Sequence, residues 1–391
     1  MSRSKLWFAA LAALTFAVPA AAQQTPQDST QAGQPAMQPA TPPPSGAPPI
    51  TSTEPDYPRG RISGYLFGDA YYNVVGQDVH SYTGDADNLP VNVTGDPTKV
   101  IGRDLNGFQI RRIYFQADND LSAKYSTRFR LEADSKSLSS DGKISVAVKA
   151  AYLQAKNVLP GGNFFFGMLP TPIFENPEEF WGYRSLEKTI GDFRGVASSA
   201  DLGVEMKGFV DADHKLGYSA MIGDGTGQKP ETNRYKRFYF ALPLRPVEAL
   251  RLEPYVDYED QPGAQEKSTY KLFAGWELKR IAIGTELLDA RVHSATGTVA
   301  EPVGISVYAR TKQTHKVNLV GRFDRWQPNT RAANRIDSDL YIAGLDWEPY
   351  HDVHLIPNIE ATQYHAKGTA VAPPNHDLQA RITFYYKWSK P

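Results

Sequence analysis

Positions 125–134 read Tyr-Ser-Thr-Arg-Phe-Arg-Leu-Glu-Ala-Asp. Tyr125, Thr127, Phe129, Leu131 and Ala133 fall on one face, and Ser126, Arg128, Arg130, Glu132 and Asp134 fall on the other. A period of two with bulky apolar groups on one side marks a strand between two different media. A soluble sandwich also has one apolar and one polar face, so a single strand does not identify the media. How often the pattern recurs, and what precedes it, decides.

Upstream, residues 108–117 pair with this strand as a hairpin through a short turn at 119–122. Phe108 and Ile110 share one parity, whereas Ile113, Phe115 and Ala117 take the other. A slip of one residue near Arg111 and Arg112 is the signature of a β-bulge. From Arg61 onward sixteen such segments follow. They cover 61–74, 108–117, 125–134, 144–156, 163–168, 202–210, 216–222, 235–242, 250–258, 269–278, 281–288, 303–311, 316–323, 340–347, 353–361 and 378–388. In 378–388, Leu378, Ala380, Ile382, Phe384, Tyr386 and Trp388 oppose Gln379, Arg381, Thr383, Tyr385 and Lys387. Connections alternate between tight (211–214, 278–280, 313–315, 350–352) and longer ones (223–233, 259–267, 290–301, 327–334, 365–376). So many charged inward faces do not fit a dry core. They fit a water-filled lumen whose outer face meets lipid. Tyr71, Tyr72, Trp276, Trp326, Trp347, Tyr386 and Trp388 lie near strand ends, where interfacial belts place aromatics.

The start of the chain agrees. Arg3 and Lys5 precede an apolar run over 6–18, and Ala20-Ala21-Ala22 follows, the layout of an export signal cleaved after Ala22. Residues 23–59 are rich in Pro, Gln, Ser, Thr and Ala and read as a disordered linker on the periplasmic side. The barrel domain then spans 60–391. The chain has no cysteine, which excludes disulfides and thiolate metal sites. Mean hydropathy is −0.44, and no later segment approaches the ~18 apolar residues of a spanning helix. A net charge of −1 without a basic half argues against nucleic acid.

The third long connection, residues 170–200, differs from a polar exterior loop. It carries Ile173, Phe174, Phe180, Trp181 and Tyr183 among Glu175, Glu178, Glu179, Arg184, Glu187, Lys188, Asp192 and Arg194, and 185–190 suits a short helical turn. It is expected to fold into the pore and narrow it; packing over the outside or against a neighbouring subunit is the alternative. The wall opposite would present Arg61, Arg112, Arg128, Arg130 and Arg381. Guanidinium groups stay charged at any working pH and attract anions, unless they simply pair with Asp69, Glu132 and Asp134.

Gly107-Phe-Gln-Ile-Arg-Arg112-Ile-Tyr-Phe115, Phe129-Arg-Leu-Glu-Ala-Asp134, Ala151-Tyr-Leu153 and Phe166-Gly-Met-Leu-Pro-Thr-Pro172 resemble the opening strands of the phosphate-selective porin O and P family. The resemblance is sharpest over 107–210. It implies an all-β fold, a transmembrane antiparallel barrel of about sixteen strands with an inward-folded third loop. It implies a homotrimer in the outer membrane of a Gram-negative-type bacterium, passing small hydrophilic solutes, anions among them, without a cofactor. Arg112, Arg128 and Arg130 are the arginines it implies. Two features depart from the family: Trp388 is followed by Ser389-Lys390-Pro391, and the loops carry no lysine cluster. General diffusion is therefore the expectation, ahead of phosphate capture.

Other classes find little footing. G-x-S-x-G, H-E-x-x-H and glycine-rich phosphate loops are missing from the sequence, so a hydrolase reading has no motif to start from. His351 with His354, and His365 with His376, lack a third ligand of the usual kind, and no metal site is expected. A non-conducting adhesive or tethering barrel is the remaining alternative.

Overall fold

The computed structural model describes residues 56–76, 102–139, 143–261, 265–294, 299–311, 316–369 and 373–390. The export signal, most of the linker and most of the first long loop lie outside the described residues. The strands are β1 (Arg59–Val75), β2 (Asn106–Asp120), β3 (Tyr125–Leu138), β4 (Ile144–Leu159), β5 (Gly162–Pro170) and β6 (Ala200–Phe209). They continue as β7 (Gly217–Gly223), β8 (Arg237–Ala241), β9 (Leu244–Val247), β10 (Leu250–Gln261), β11 (Gln265–Glu277) and β12 (Ile281–His293). The last are β13 (Val299–Ala300), β14 (Val303–Thr311), β15 (Val317–Gln327), β16 (Arg335–Tyr350), β17 (Val353–Lys367) and β18 (Asp377–Lys390). Two helices, α1 (Pro172–Trp181) and α2 (Ile190–Phe193), lie between β5 and β6.

All strand pairings are antiparallel and join staves that follow one another in sequence, and β1 pairs with β18 from Ile62 opposite Lys390 to Val75 opposite Leu378. The sheet is therefore closed. β8 and β9 both pair with β10, interrupted near Pro243, and β13 and β14 both pair with β12, so the barrel has sixteen staves. Closure leaves no free edge, as a sheet in lipid requires. Among the described residues no helix is long and apolar enough to cross a membrane.

The two faces divide as the alternation demands. Ile62, Phe115, Phe129, Leu272, Trp276, Ile359, Ile382 and Trp388 are exposed outward, whereas Asp69, Glu253, Lys271, Glu360, Gln379 and Thr383 are buried inside. The seam is packed on the outside as well. Trp388 lies beside Phe115, 6.3 Å between ring centroids, across Gly64, where a Cβ would come within 2.9 Å of the indole.

Three expectations are corrected. Trp326 is not part of an outer belt. It shares the inward parity of β15 with Arg322 and Asp324 and is buried. The strands also run further than alternation suggested, β17 to Lys367 and β16 from Arg335, because backbone pairing continues above the apolar band, where an oily face is no longer required. The helical turn expected over 185–190 is replaced by the two helices on either side of it.

The slip at Arg111 and Arg112 is a bulge. Phe67 pairs with Arg112 and Gly68 with Ile110, leaving Arg111 unmatched. A second bulge in β4 leaves Lys149 unmatched, between Leu131 opposite Val148 and Arg130 opposite Ala150.

Because Ile382 faces outward near the middle of β18, Ile382→Lys should cost ~2–4 kcal/mol of barrel stability in lipid vesicles. Ile382→Leu should cost well under half of that. Urea titration read by heat-modifiable gel migration measures both. A lysine tolerated there would put this face in water.

Candidate functional site

Residues 170–200 form the centre of the molecule. α1 follows from its sequence. Pro172 sits at the first helical position, and Ile173, Phe174, Pro177, Phe180 and Trp181 recur at i, i+1, i+4, i+7 and i+8, one face of a helix. Gly182 ends it at φ 70°, a left-handed conformation that glycine takes without strain, and its N–H donates to the Glu178 carbonyl at 3.0 Å. These signals were present in the sequence but were masked by the acidic residues between them.

Pro177 inside the helix has no N–H for the carbonyl of Ile173. That carbonyl accepts instead from Nζ of Lys271, a buried β11 lysine that also donates to Glu253 at 2.8 Å. A helix defect and a wall cation thus complete each other.

The segment touches the inner wall on all sides. On the β10–β17 side, Phe180 meets Phe273 edge to face at 5.5 Å and Trp181 meets Tyr308 at 5.0 Å. Both rings join a buried cluster with Leu186, Val320, Leu340, Ile342 and Ile356. Gly275 makes room for them, since a Cβ there would lie 2.6 Å from the Phe180 ring. The lumen is thus partly apolar, and the apolar face of α1 seats on that patch. Arg322 lies over the Trp181 ring at 5.5 Å and donates to the Lys188 carbonyl. Tyr183 donates to Asp346 at 3.0 Å, and Asp346 also meets His354 Nδ1 at 2.8 Å.

On the opposite side the contacts are charged. Arg111 donates to the carbonyls of Ser185 at 3.2 Å and Leu186 and pairs with Glu187 at 3.1 Å and Asp69 at 3.6 Å. Lys149 donates to Ser199 Oγ at 2.7 Å and pairs with Glu132 at 3.3 Å. Both are the bulge residues, so each irregularity turns one extra cation onto the segment. A chain segment that reaches β2, β4, β11, β14, β15 and β16 of a closed sheet lies across its interior.

The segment is also tied to itself. Arg184 pairs with Glu178 and with Asp192 at 2.9 Å, and Lys188 pairs with Asp192 at 3.0 Å. Burial pushes the Asp192 carboxyl up, but Arg184 and Lys188 outweigh it and hold it well below the usual carboxylate range. Burial likewise opposes ionisation of Glu187, and Arg111 overcomes it, so this pKa also lies below the ordinary value. Glu175 pairs with Lys207, Glu179 with Arg251 at 2.9 Å, and Arg194 donates to Ser338 at 3.1 Å and lies over Trp326 at 5.6 Å.

The expected wall arginines divide into two groups. Arg112 pairs with Glu132 at 3.2 Å and Asp134 at 3.4 Å, and Arg381 pairs with Glu360; their side chains are 8% and 1% exposed. Arg61 and Arg128 both pair with Asp118, at 3.4 and 2.7 Å, yet remain 59% and 32% exposed. Arg130 donates to Gln116 at 2.6 Å and is half-buried. Arg61 and Arg128 line an open cavity of about 370 Å³ at the tight-turn end, with Asp118, Asp120, Tyr152 and Lys156. Alternation finds these residues and also turns Lys271 inward, without marking it as a partner of the segment, but it does not single out Arg111, Lys149 or Arg322. The bulge slip pointed to Arg111; the partners of the others follow from the course of residues 170–200.

Among the described residues no group of three or more His, Asp or Glu is arranged to hold a metal ion. His365 meets Asp339 at 3.1 Å, and His376 accepts from the Tyr364 N–H at 3.3 Å.

No family model matches this chain, and no curated protein sequence does. Solved structures do. An anion-selective porin from Comamonas acidovorans superposes with a TM-score of 0.60 at 9% identity, covering 85% of this chain and 100% of that one. The outer membrane channel DcaP of Acinetobacter baumannii gives 0.60 at 12% identity, covering 85% and 97%. The trimer form of OmpT, an outer membrane protein of Vibrio cholerae, gives 0.54 at 12% identity, covering 85% and 100%. At these identities the likeness is one of fold: this chain has the closed sixteen-stave fold of outer-membrane barrels.

Proposed function

We propose that this protein is a passive outer-membrane channel for small hydrophilic solutes, with residues 170–200 as its constriction. The observation that carries the reading is the course of that segment across the interior of a closed sheet whose outer face is apolar. A structural barrel has no need of a rigid insert held on every side. The similarity in fold to an anion-selective porin, to DcaP and to a trimeric outer-membrane protein supports the outer-membrane location and a homotrimer as parts of the same proposal.

Within it, Arg61, Arg128 and Arg130 are the cations that solutes meet: Arg61 and Arg128 retain accessible surface in the open cavity, with Lys156 nearby, and Arg130, half-buried, is the next inward residue of β3. Arg112 and Arg381 have the same chemistry but no access; they hold the wall. The resulting reading is a modest preference for anions without capture of one species. The dense ion pairing at the level of Arg111, Arg184 and Asp192 favours one other reading, a barrel that does not conduct. Planar-bilayer recording of the purified protein separates the two: discrete current steps support the channel, and silence refutes it.

Arg128→Ala with Arg130→Ala should move the reversal potential in a salt gradient toward cations by a few-fold change in permeability ratio. Arg112→Ala should move it far less and instead lower stability, since it removes one of the two cations, Arg112 and Lys149, that pair with buried Glu132. An unchanged reversal potential in the first variant removes those two residues from the solute path.

Acid response follows from the depressed carboxyls of Asp192 and Glu187. A group whose folded pKa lies below its unfolded value contributes stability above the unfolded value and loses it as pH falls through the folded one. Step conductance should therefore stay constant from neutral pH to about 4, near the ordinary carboxylate pKa. Current noise should rise below it. Trp181→Ala, a substitution of a kind that costs ~3–5 kcal/mol, should bring that noise to neutral pH. A constriction that loosened near pH 6 would contradict the assignment.

A further inference from the structure

On the inner face of the β17–β18 hairpin four side chains form a square. Glu360 lies opposite Gln379, and Thr362 lies opposite Asp377 in the adjoining pair, the last rung before the loop. Directly opposed residues on one face hold their Cβ atoms ~4.5–5.5 Å apart, and diagonal neighbours within side-chain reach. Glu360 and Thr362 are 0% exposed and Asp377 is 2% exposed. One oxygen of each is an orphan: Glu360 Oε1, Thr362 Oγ1 and Asp377 Oδ1 accept no hydrogen bond. Their other capacities are used. Arg381 takes Glu360 Oε2, the Tyr364 hydroxyl donates to Asp377 Oδ2 at 2.6 Å, and the Gln379 amide donates to Asn73 at 2.6 Å.

Buried acceptors without donors cost free energy, and a buried carboxylate without a counter-charge costs more. Arg381 balances Glu360, while no ion pair among the described residues includes Asp377, so one negative charge is left over. A single water molecule offers two protons to three acceptors and no charge. An oxygen-seeking cation meets both needs. We infer that the square formed by Glu360, Thr362, Asp377 and Gln379 binds a hard divalent cation of the calcium type through side-chain oxygens, with water completing the ~6–8 ligands that such an ion takes. Only two of the four donors are carboxylates; the hydroxyl and amide oxygens make up the rest.

The position gives the ion a structural task. The square closes the last rung of the β17–β18 ladder, at the first residue of β18, and through Gln379 and Asn73 it reaches β1. The ion would therefore lock the loop end of the seam at which the barrel closes.

Terbium, which replaces calcium and is excited through nearby tyrosine, tests this on full-length detergent-refolded protein, with Tyr364 as the neighbouring antenna. We expect one Tb³⁺ per chain, displaced by Ca²⁺, and a Ca²⁺-dependent rise in unfolding temperature that EDTA reverses. Asp377→Asn should abolish both signals, and Thr362→Val, which changes no charge, should weaken Tb³⁺ binding at least ten-fold. Heat-modifiable migration confirms that each variant is folded, and if Asp377→Asn fails to fold, Thr362→Val carries the comparison. No Tb³⁺ signal in the wild type, or an equal signal and shift in the variants, overturns the site. The proposal does not depend on conductance, so a silent barrel would leave it standing.

Discussion

The pairing of the first strand with the last is the constraint from which the rest follows. In hydrocarbon an unpaired backbone amide has no water to turn to, at a cost of several kcal/mol each. From Ile62 opposite Lys390 to Val75 opposite Leu378, β1 and β18 leave none of that edge exposed. Closure then creates an interior, and every inward side chain must find water, a partner or a packing surface there. The polar faces of β2, β3, β10, β17 and β18 are arranged accordingly: carboxylates and guanidinium groups stand across from one another at strand spacing.

Residues 170–200 sit inside because two kinds of force act on opposite sides of them. Burying Phe180 and Trp181 against Phe273, Tyr308 and Ile342 is worth ~2–3 kcal/mol for each ring. Ion pairs such as Arg111 with Glu187 add less, since desolvation of both partners offsets much of the attraction. Apolar contact therefore holds the segment, and charge fixes its height and register. The same balance explains why the segment is paired with itself through Arg184 and Asp192: once inside, an unmatched charge there would cost more than any pair returns.

Irregularity is used where reach is needed. In a regular strand Arg111 and Arg112 point to opposite faces, one of them into lipid. The bulge sends both inward, where Arg112 meets Glu132 and Arg111 meets the inserted segment. Lys149 repeats the device two strands on. Pro177 is the helical counterpart, a break whose freed carbonyl is taken by Lys271.

By itself the sequence determined the closed sheet, its outer and inner faces, the bulge at Arg111 and the presence of an unusual third connection. Each is written locally, because alternation along a strand has a period of two wherever the strand lies, and a slip in parity is visible without a partner. The trimmed strand ends account for the misplaced Trp326: alternation marks a strand over 316–323, whereas pairing continues to Gln327 and keeps Trp326 on the inward parity of Arg322 and Asp324. Which arginines keep access to solvent was decided by tertiary structure alone, since Arg112 and Arg128 have the same parity and the same chemistry and differ only in what stands opposite. The seat of α1 on a partly apolar lumen was decided there too. Phe273, Tyr308, Val320 and Ile342 are scattered over several strands, and only the curvature of the closed sheet brings them to one surface.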